Sequence, residues 1–142
     1  MRYLGVDLGT RRIGLAISGH GRMASPLETL QAHPRVEENA RAILKAADEY
    51  GADVIVIGLP LNMDDTEGPQ AKLSRQLGAA IERLAPAGGP RVTYHDERLT
   101  SFAADQRLAG RDLTRKQKKG RQDAVAAQVM LQSYLESLPE EP

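Results

Sequence analysis

Cysteine and tryptophan are absent from this chain, and phenylalanine occurs once. Without cysteine there are no disulfides, no thiolate-held zinc and no thiol nucleophile. With one Phe and four Tyr, aromatic platforms for stacking bases are scarce, so any recognition of nucleic acid has to lean on phosphates and shape. Net charge is missing too: 19 Lys and Arg balance 19 Asp and Glu. The total therefore argues neither for nor against a polyanionic partner, and only the distribution of charge can. No apolar stretch approaches the roughly 20 residues that span a bilayer. The amino terminus MRYLGVDLG reads as a strand and lacks the apolar centre of a secretory signal. A cytoplasmic protein with no membrane partner is the expectation.

What is present fits one folded unit. The 142 residues are 41% hydrophobic, enough for a single sizeable core. Residues 1–138 are expected to form one domain and 139–142 a frayed tail. Residues 2–8 alternate, with Leu4, Val6 and Leu8 on one face and Tyr3, Gly5 and Asp7 on the other. Gly9-Thr10-Arg11-Arg12 turns the chain, and Ile13, Leu15 and Ile17 resume the alternation, which predicts a hairpin. Met23 to Leu30 supplies a third strand, placed at an edge or broken by Pro26.

The period then changes. Helical spacing predicts helices over 35–50 and 69–85, the second with Leu73, Leu77, Ile81 and Leu84 on one stripe. Between them, DVIVIG (53–58) is a continuous apolar run, as in a strand buried on both faces. A short strand at 91–94, a helix from Thr100 or Ser101 to about Ala109 and a last helix over roughly 119–137 complete the pattern. The order predicts an α/β fold: a five-stranded mixed sheet, made of an antiparallel three-strand meander plus two parallel crossover strands, with helices on both faces.

Three carboxylates stand in settings that are costly without a partner. Asp7 lies mid-strand, where aspartate is disfavoured. Gly5 and Gly9 flank it on the same face and are expected to leave room for an ion or a phosphate. Glu97 follows a strand and precedes a helix, at the carboxyl edge where open α/β sheets bind ligands. Its neighbour Asp96 is the alternative, since adjacent residues there point apart. Asp123 shares a helical face with Ala127, Met130, Leu131, Tyr134 and Leu138, so it should face the sheet. The plainer reading is a first-turn aspartate that favours the helix dipole. Brought together, the three would repel one another unless they held a hard cation, and Mg²⁺ or Mn²⁺ suits an all-oxygen site. Such ions activate water and stabilise a leaving oxygen in phosphodiester hydrolysis. His20, His33 and His95 show no ligand spacing. His95 is close enough in sequence to assist proton transfer, with a packing role as the simpler alternative.

Charge is unevenly spread. From Arg98 to Arg121 eight basic residues (Arg98, Arg107, Arg111, Arg115, Lys116, Lys118, Lys119 and Arg121) face two acidic ones, a local excess of six. From Gln122 onward there are four acidic residues and no basic one. A phosphate backbone is the natural partner for the basic run, with a solvated connection as the alternative. Arg11 and Arg12 in the first turn join Arg98, Arg115, Lys116, Lys118, Lys119 and Arg121 as candidate nucleic-acid contacts.

The segments GVDLGTRRIGLAIS (5–18), VIGLPLNMDD (56–65), HDERLTSFAA (95–104) and KKGRQDAVAAQVMLQSYL (118–135) together resemble the YqgF family, also called RuvX, a family of Holliday-junction-resolvase type. The resemblance runs over nearly the whole chain. It implies a ribonuclease H-like fold and Asp7, Glu97 and Asp123 as the acidic active-site set. It also implies a nuclease linked to maturation of the 5′ end of pre-16S rRNA, and it marks Gly58, Pro60, Asn62 and Met63 as a substrate-side loop, with turn duty as the alternative for these four. Two departures stand out. Related junction resolvases carry a second aspartate three residues after the helix aspartate, where this chain has Ala126. Asp65 stands where the family commonly has glycine. The expected partner is structured RNA, with branched DNA as the alternative, and the expected assembly is a monomer or homodimer. A binding module that no longer cleaves is the non-catalytic reading. GVDLGT also resembles the phosphate loop of sugar kinases, but those proteins have two lobes and this chain has room for one.

Overall fold

The computed structural model describes residues 1–19, 22–97 and 115–139, and for 115–122 only the helical backbone. The predicted helix near 100–109 therefore lies outside the described residues, as do residues 140–142 of the expected tail. Pro139, the first residue of that tail, is tied down: Arg22 donates to the carbonyl oxygens of Leu138 at 3.2 Å and Pro139 at 2.7 Å.

Five strands form one sheet in the order β3-β2-β1-β4-β5. β1 (Tyr3–Leu8), β2 (Arg12–Ser18) and β3 (Ala24–Gln31) make the antiparallel meander, and β4 (Val54–Leu59) and β5 (Arg91–Asp96) run parallel to β1. This is the mixed sheet that the element order predicts. Pro26 sits in edge strand β3, beside a register shift at Leu15/Ala16, where its missing N–H leaves no ladder bond unmade. β5 runs two residues further than its sequence signal, because the parallel ladder to β4 continues through His95 and Asp96.

The sheet has two different faces. On one, α1 (Val36–Tyr50) and α2 (Pro69–Leu84) cover Leu4, Val6, Ile13, Leu15, Ile55 and Ile57. α1 ends on Gly51, whose left-handed φ of 66° suits glycine. Leu73 departs from its predicted stripe and is 47% exposed. The buried face of α2 centres on Ser74, Leu77, Gly78 and Ile81, because Gly78 lies against the Tyr94 hydroxyl and leaves no room for a side chain there.

On the other face lies α3 (Arg115–Ser137), with Ala127, Met130, Leu131 and Leu135 packed on Ala16, Ala24, Val54 and Val56. Polar staples fix it along the meander. Gln132 Oε1 accepts from the Ala24 N–H at 2.9 Å, Gln132 Nε2 donates to the Arg22 carbonyl at 3.1 Å and Gln128 donates to the Ala24 carbonyl at 3.1 Å. No helix among the described residues is long and apolar enough to cross a membrane.

Candidate active site

Alternation places Asp7 on the α3 face of β1, with Gly5. Gly5 does not leave space for an ion, contrary to the sequence expectation. A Cβ there would sit 2.9 Å from the Leu131 Cβ, so its bare backbone admits α3. Gly9 serves the turn, donating its N–H to the Arg12 carbonyl at 2.8 Å.

Glu97 follows β5 on the same face and meets Asp7 through a side-chain hydrogen bond. What makes this possible is Gly58, next door on β4 and paired with His95. Any Cβ on Gly58 would collide with the Glu97 carboxyl group. Burial pushes Glu97 up to about 10, helped by the hydrogen bond to Asp7 and by the nearby Asp7 and Asp96 carboxylates. At neutral pH Glu97 thus keeps its proton and donates it to Asp7. Of the two candidates at the end of β5, it is Glu97 that joins Asp7.

Asp123 reaches the same face from α3. Its backbone carbonyl lies directly over Gly14, where a Cβ would collide with it, and Gly14 is the cross-strand partner of Asp7. Its carboxylate, however, is taken by Arg12: Nε donates to Oδ2 at 2.5 Å, with both side chains under a third exposed. Two of the three carboxylates are therefore in contact. The third is held beside them, turned to a guanidinium. Among the described residues no three His, Asp or Glu side chains are gathered closely enough to hold a metal ion. The chemistry of the set still fits one, since Asp7, Glu97 and Asp123 reach one face of the sheet and offer only hard carboxylate oxygens.

The first-turn reading of Asp123 does not hold. α3 begins at Arg115, so Asp123 lies about two turns inside it, beyond the reach of the dipole end. Arg115, Lys116, Lys118, Lys119 and Arg121 consequently sit in helical backbone, not in a connection ahead of the helix, and their side chains are not described. Arg98 lies outside the described residues. Arg11 is exposed at the β1–β2 turn.

Asn62 does turn duty. Its N–H donates to the Thr66 carbonyl at 2.8 Å and its amide to Thr66 Oγ1 at 2.9 Å, while Thr66 Oγ1 donates to Asp64 at 2.5 Å. Asp65 takes a φ of 70° in this loop, the left-handed conformation that glycine adopts freely and aspartate tolerates. His95 is engaged under α3, with Nε2 3.0 Å from Ser133 Oγ and its ring edge-on to Tyr134. Burial lowers its pKa, and the packing role is the one the geometry favours.

Sequence reasoning missed Gly14 and the Arg12–Asp123 pair. A glycine inside an alternating strand is a recognisable sign of close backbone approach, so Gly14 was detectable. The ion pair, across 111 residues, carries no local signal.

A family model described as "RuvX: Holliday junction resolvase" matches residues 1–137. A protein of Anaeromyxobacter sp. (strain K) named "Putative pre-16S rRNA nuclease" is 43% identical over 136 residues, covering 96% of this chain and 97% of its own length. A protein of Geobacillus kaustophilus with the same name is 40% identical over 139 residues, covering 96% and 99%. In three dimensions the chain resembles T. thermophilus RuvC in complex with a Holliday junction substrate, with a TM-score of 0.61, 15% identity and coverage of 96% and 94%. It also resembles the Fowlpox virus resolvase in complex with junction DNA, with a TM-score of 0.59, 13% identity and coverage of 99% and 100%. These likenesses give the arrangement its name, a ribonuclease H-like fold. With the match running from the first strand to the end of the last helix, the chain belongs to the RuvX family.

Proposed function

We propose that this protein is a divalent-metal-dependent endonuclease that hydrolyses phosphodiester bonds in the 5′-end processing of pre-16S rRNA. The observation that carries the reading is the side-chain contact of Asp7 and Glu97, beside an Asp123 fixed over Gly14. The RNA substrate is supported by the names of relatives at 40–43% identity over nearly their full length.

Asp7, Glu97 and Asp123 are the residues that would hold Mg²⁺ or Mn²⁺, which supplies an activated water and neutralises the leaving oxygen. The rest falls to the chain itself. Glu97 stores a proton against Asp7 and gives it up when the pair becomes fully ionised. Gly14 admits the α3 backbone that carries Asp123, and Gly58 admits the Glu97 carboxyl group. Arg11, exposed at the β1–β2 turn, is our candidate to meet a backbone phosphate. The basic first turns of α3, with Arg115, Lys116, Lys118, Lys119 and Arg121, extend the same attraction along the helix that carries Asp123. Residues 1–138 act as one nuclease unit, and the ribosomal precursor places it in the cytoplasm.

The family description favours a second reading, cleavage of four-way DNA junctions, for which a twofold dimer would be the natural form. The deciding experiment offers purified protein a precursor RNA spanning the 5′ end of 16S rRNA and, in parallel, a four-way DNA junction, with Mg²⁺ or Mn²⁺. Metal-dependent cleavage of the RNA, absent in Asp7→Asn, is expected. Full activity in excess chelator or in Asp7→Asn overturns the reading, and cutting of the junction alone transfers it to DNA.

A further inference from the structure

Asp123 presents a problem that the proposed function leaves open. Its backbone is pinned over Gly14, so the carboxylate can change partners only by rotating its own side chain. Its present partner is a cation. Arg12 approaches from the first residue of β2, on the same face of the sheet as Asp7 and Gly14, with its main chain held by the hairpin bond from Gly9 and by pairing with Gln31. The bond uses Nε alone. Among the described residues the two terminal nitrogens of Arg12 donate to nothing. A guanidinium that only tethered a helix would be expected to use its fork, two parallel bonds to one carboxylate. A single short contact, partly exposed, is the geometry of a partner that can leave.

We propose that Arg12 is a positioning residue that holds the place of the divalent cation at Asp123 in the metal-free protein and is displaced from it when the metal binds. The proposal rests on the metal-dependent reading above. It accounts for why Asp123 is poised beside Asp7 and Glu97 without being gathered to them. The Arg12 guanidinium keeps the carboxylate aimed and paired until a stronger cation competes for it. Displacement leaves the guanidinium beside the turn that carries the exposed Arg11, free to pair with a phosphate.

Mn²⁺ binding to the full-length protein, followed by calorimetry, is the test. Arg12→Gln removes the competitor, and Mn²⁺ affinity is expected to rise about two- to fivefold, the range set by a partly exposed ion pair. Arg12→Lys, with a point charge on a flexible stem, should fall between Gln and wild type. A static tether predicts the opposite for Arg12→Gln: a lower Tm with Mn²⁺ affinity unchanged or weaker, and that result overturns the proposal. A second measurement needs no variant. In ¹H–¹⁵N spectra of the wild type, the Arg12 Nε–H resonance should leave its hydrogen-bonded position as Mg²⁺ is added, and a resonance that stays put at saturation overturns the proposal as well. The two readings fail separately. Mn²⁺ bound by wild type and lost in Asp7→Asn, with no gain in Arg12→Gln, sinks the placeholder alone. Absence of Mn²⁺ binding in both wild type and Arg12→Gln sinks the metal site and the placeholder with it.

Discussion

A carboxyl group that keeps its proton at neutral pH ties folding to pH, and Glu97, raised to about 10, is such a group. Between its ordinary value and about 10, the folded chain holds a proton that the unfolded chain has released. The resulting stability is complete below the ordinary glutamate range and is lost as pH rises toward 10, with a slope of up to about 1.4 kcal/mol per pH unit. In urea unfolding of the metal-free protein at pH 6, 7.5 and 9, wild type should weaken across the series relative to Glu97→Gln, whose amide carries no such proton. Parallel curves for the two proteins would contradict the assignment. The same residue separates the two candidates at the end of β5. Glu97→Gln should abolish cleavage, whereas Asp96→Asn, on a residue that alternation along β5 puts on the opposite face of the sheet from His95, should cost less than about tenfold in kcat/KM.

At the scale of elements, the site depends on how closely α3 approaches the sheet, and glycines set that distance. A Cβ on Gly14 would strike the Asp123 backbone carbonyl, whereas one on Gly5 would meet the Leu131 side chain. The overlap at Gly14, onto the carbonyl itself, is far deeper than that at Gly5, where the Leu131 Cβ would lie 2.9 Å away. Gly14→Ala is therefore expected to destabilise by about 1–3 kcal/mol and to displace Asp123, while Gly5→Ala costs less. Thermal melts rank the two, and equal Tm values would refute the argument.

The elements differ in how much of themselves they reveal in the sequence. β1 and β2 declare themselves because each has one core face, so Leu4, Val6, Ile13 and Leu15 fall at period two. β4 does so by being buried throughout. The start of α3 does not. Lys116, Gln117, Lys118 and Lys119 are good helix formers but carry no apolar period, so the helix starts before its stripe does. Leu73 misleads for a different reason, since the face α2 buries is set by Tyr94 on β5, which α2's own spacing cannot reveal. The three acidic positions were legible as local anomalies. Which partner each would take was not, because Arg12 and Asp123 are joined only by the fold.

For the molecule as a whole, a ligand that binds only the folded state raises stability by mass action. Mg²⁺ at ten times its dissociation constant should add about 1.4 kcal/mol, visible as a higher Tm for wild type and lost in Asp7→Asn. An unchanged Tm in saturating Mg²⁺ would argue against a resident ion.

The acidic triad is drawn from positions 7, 97 and 123, and the last of these is borne by the helix that closes the α3 face. Domains form from the amino terminus onward as the chain is made. A nascent or prematurely ended polypeptide bearing all five strands would thus have one side of its sheet uncovered and one carboxylate missing. On the proposed assignment of these three carboxylates, such a fragment is expected not to cleave nucleic acid, so that cutting would begin only once the last helix has been made.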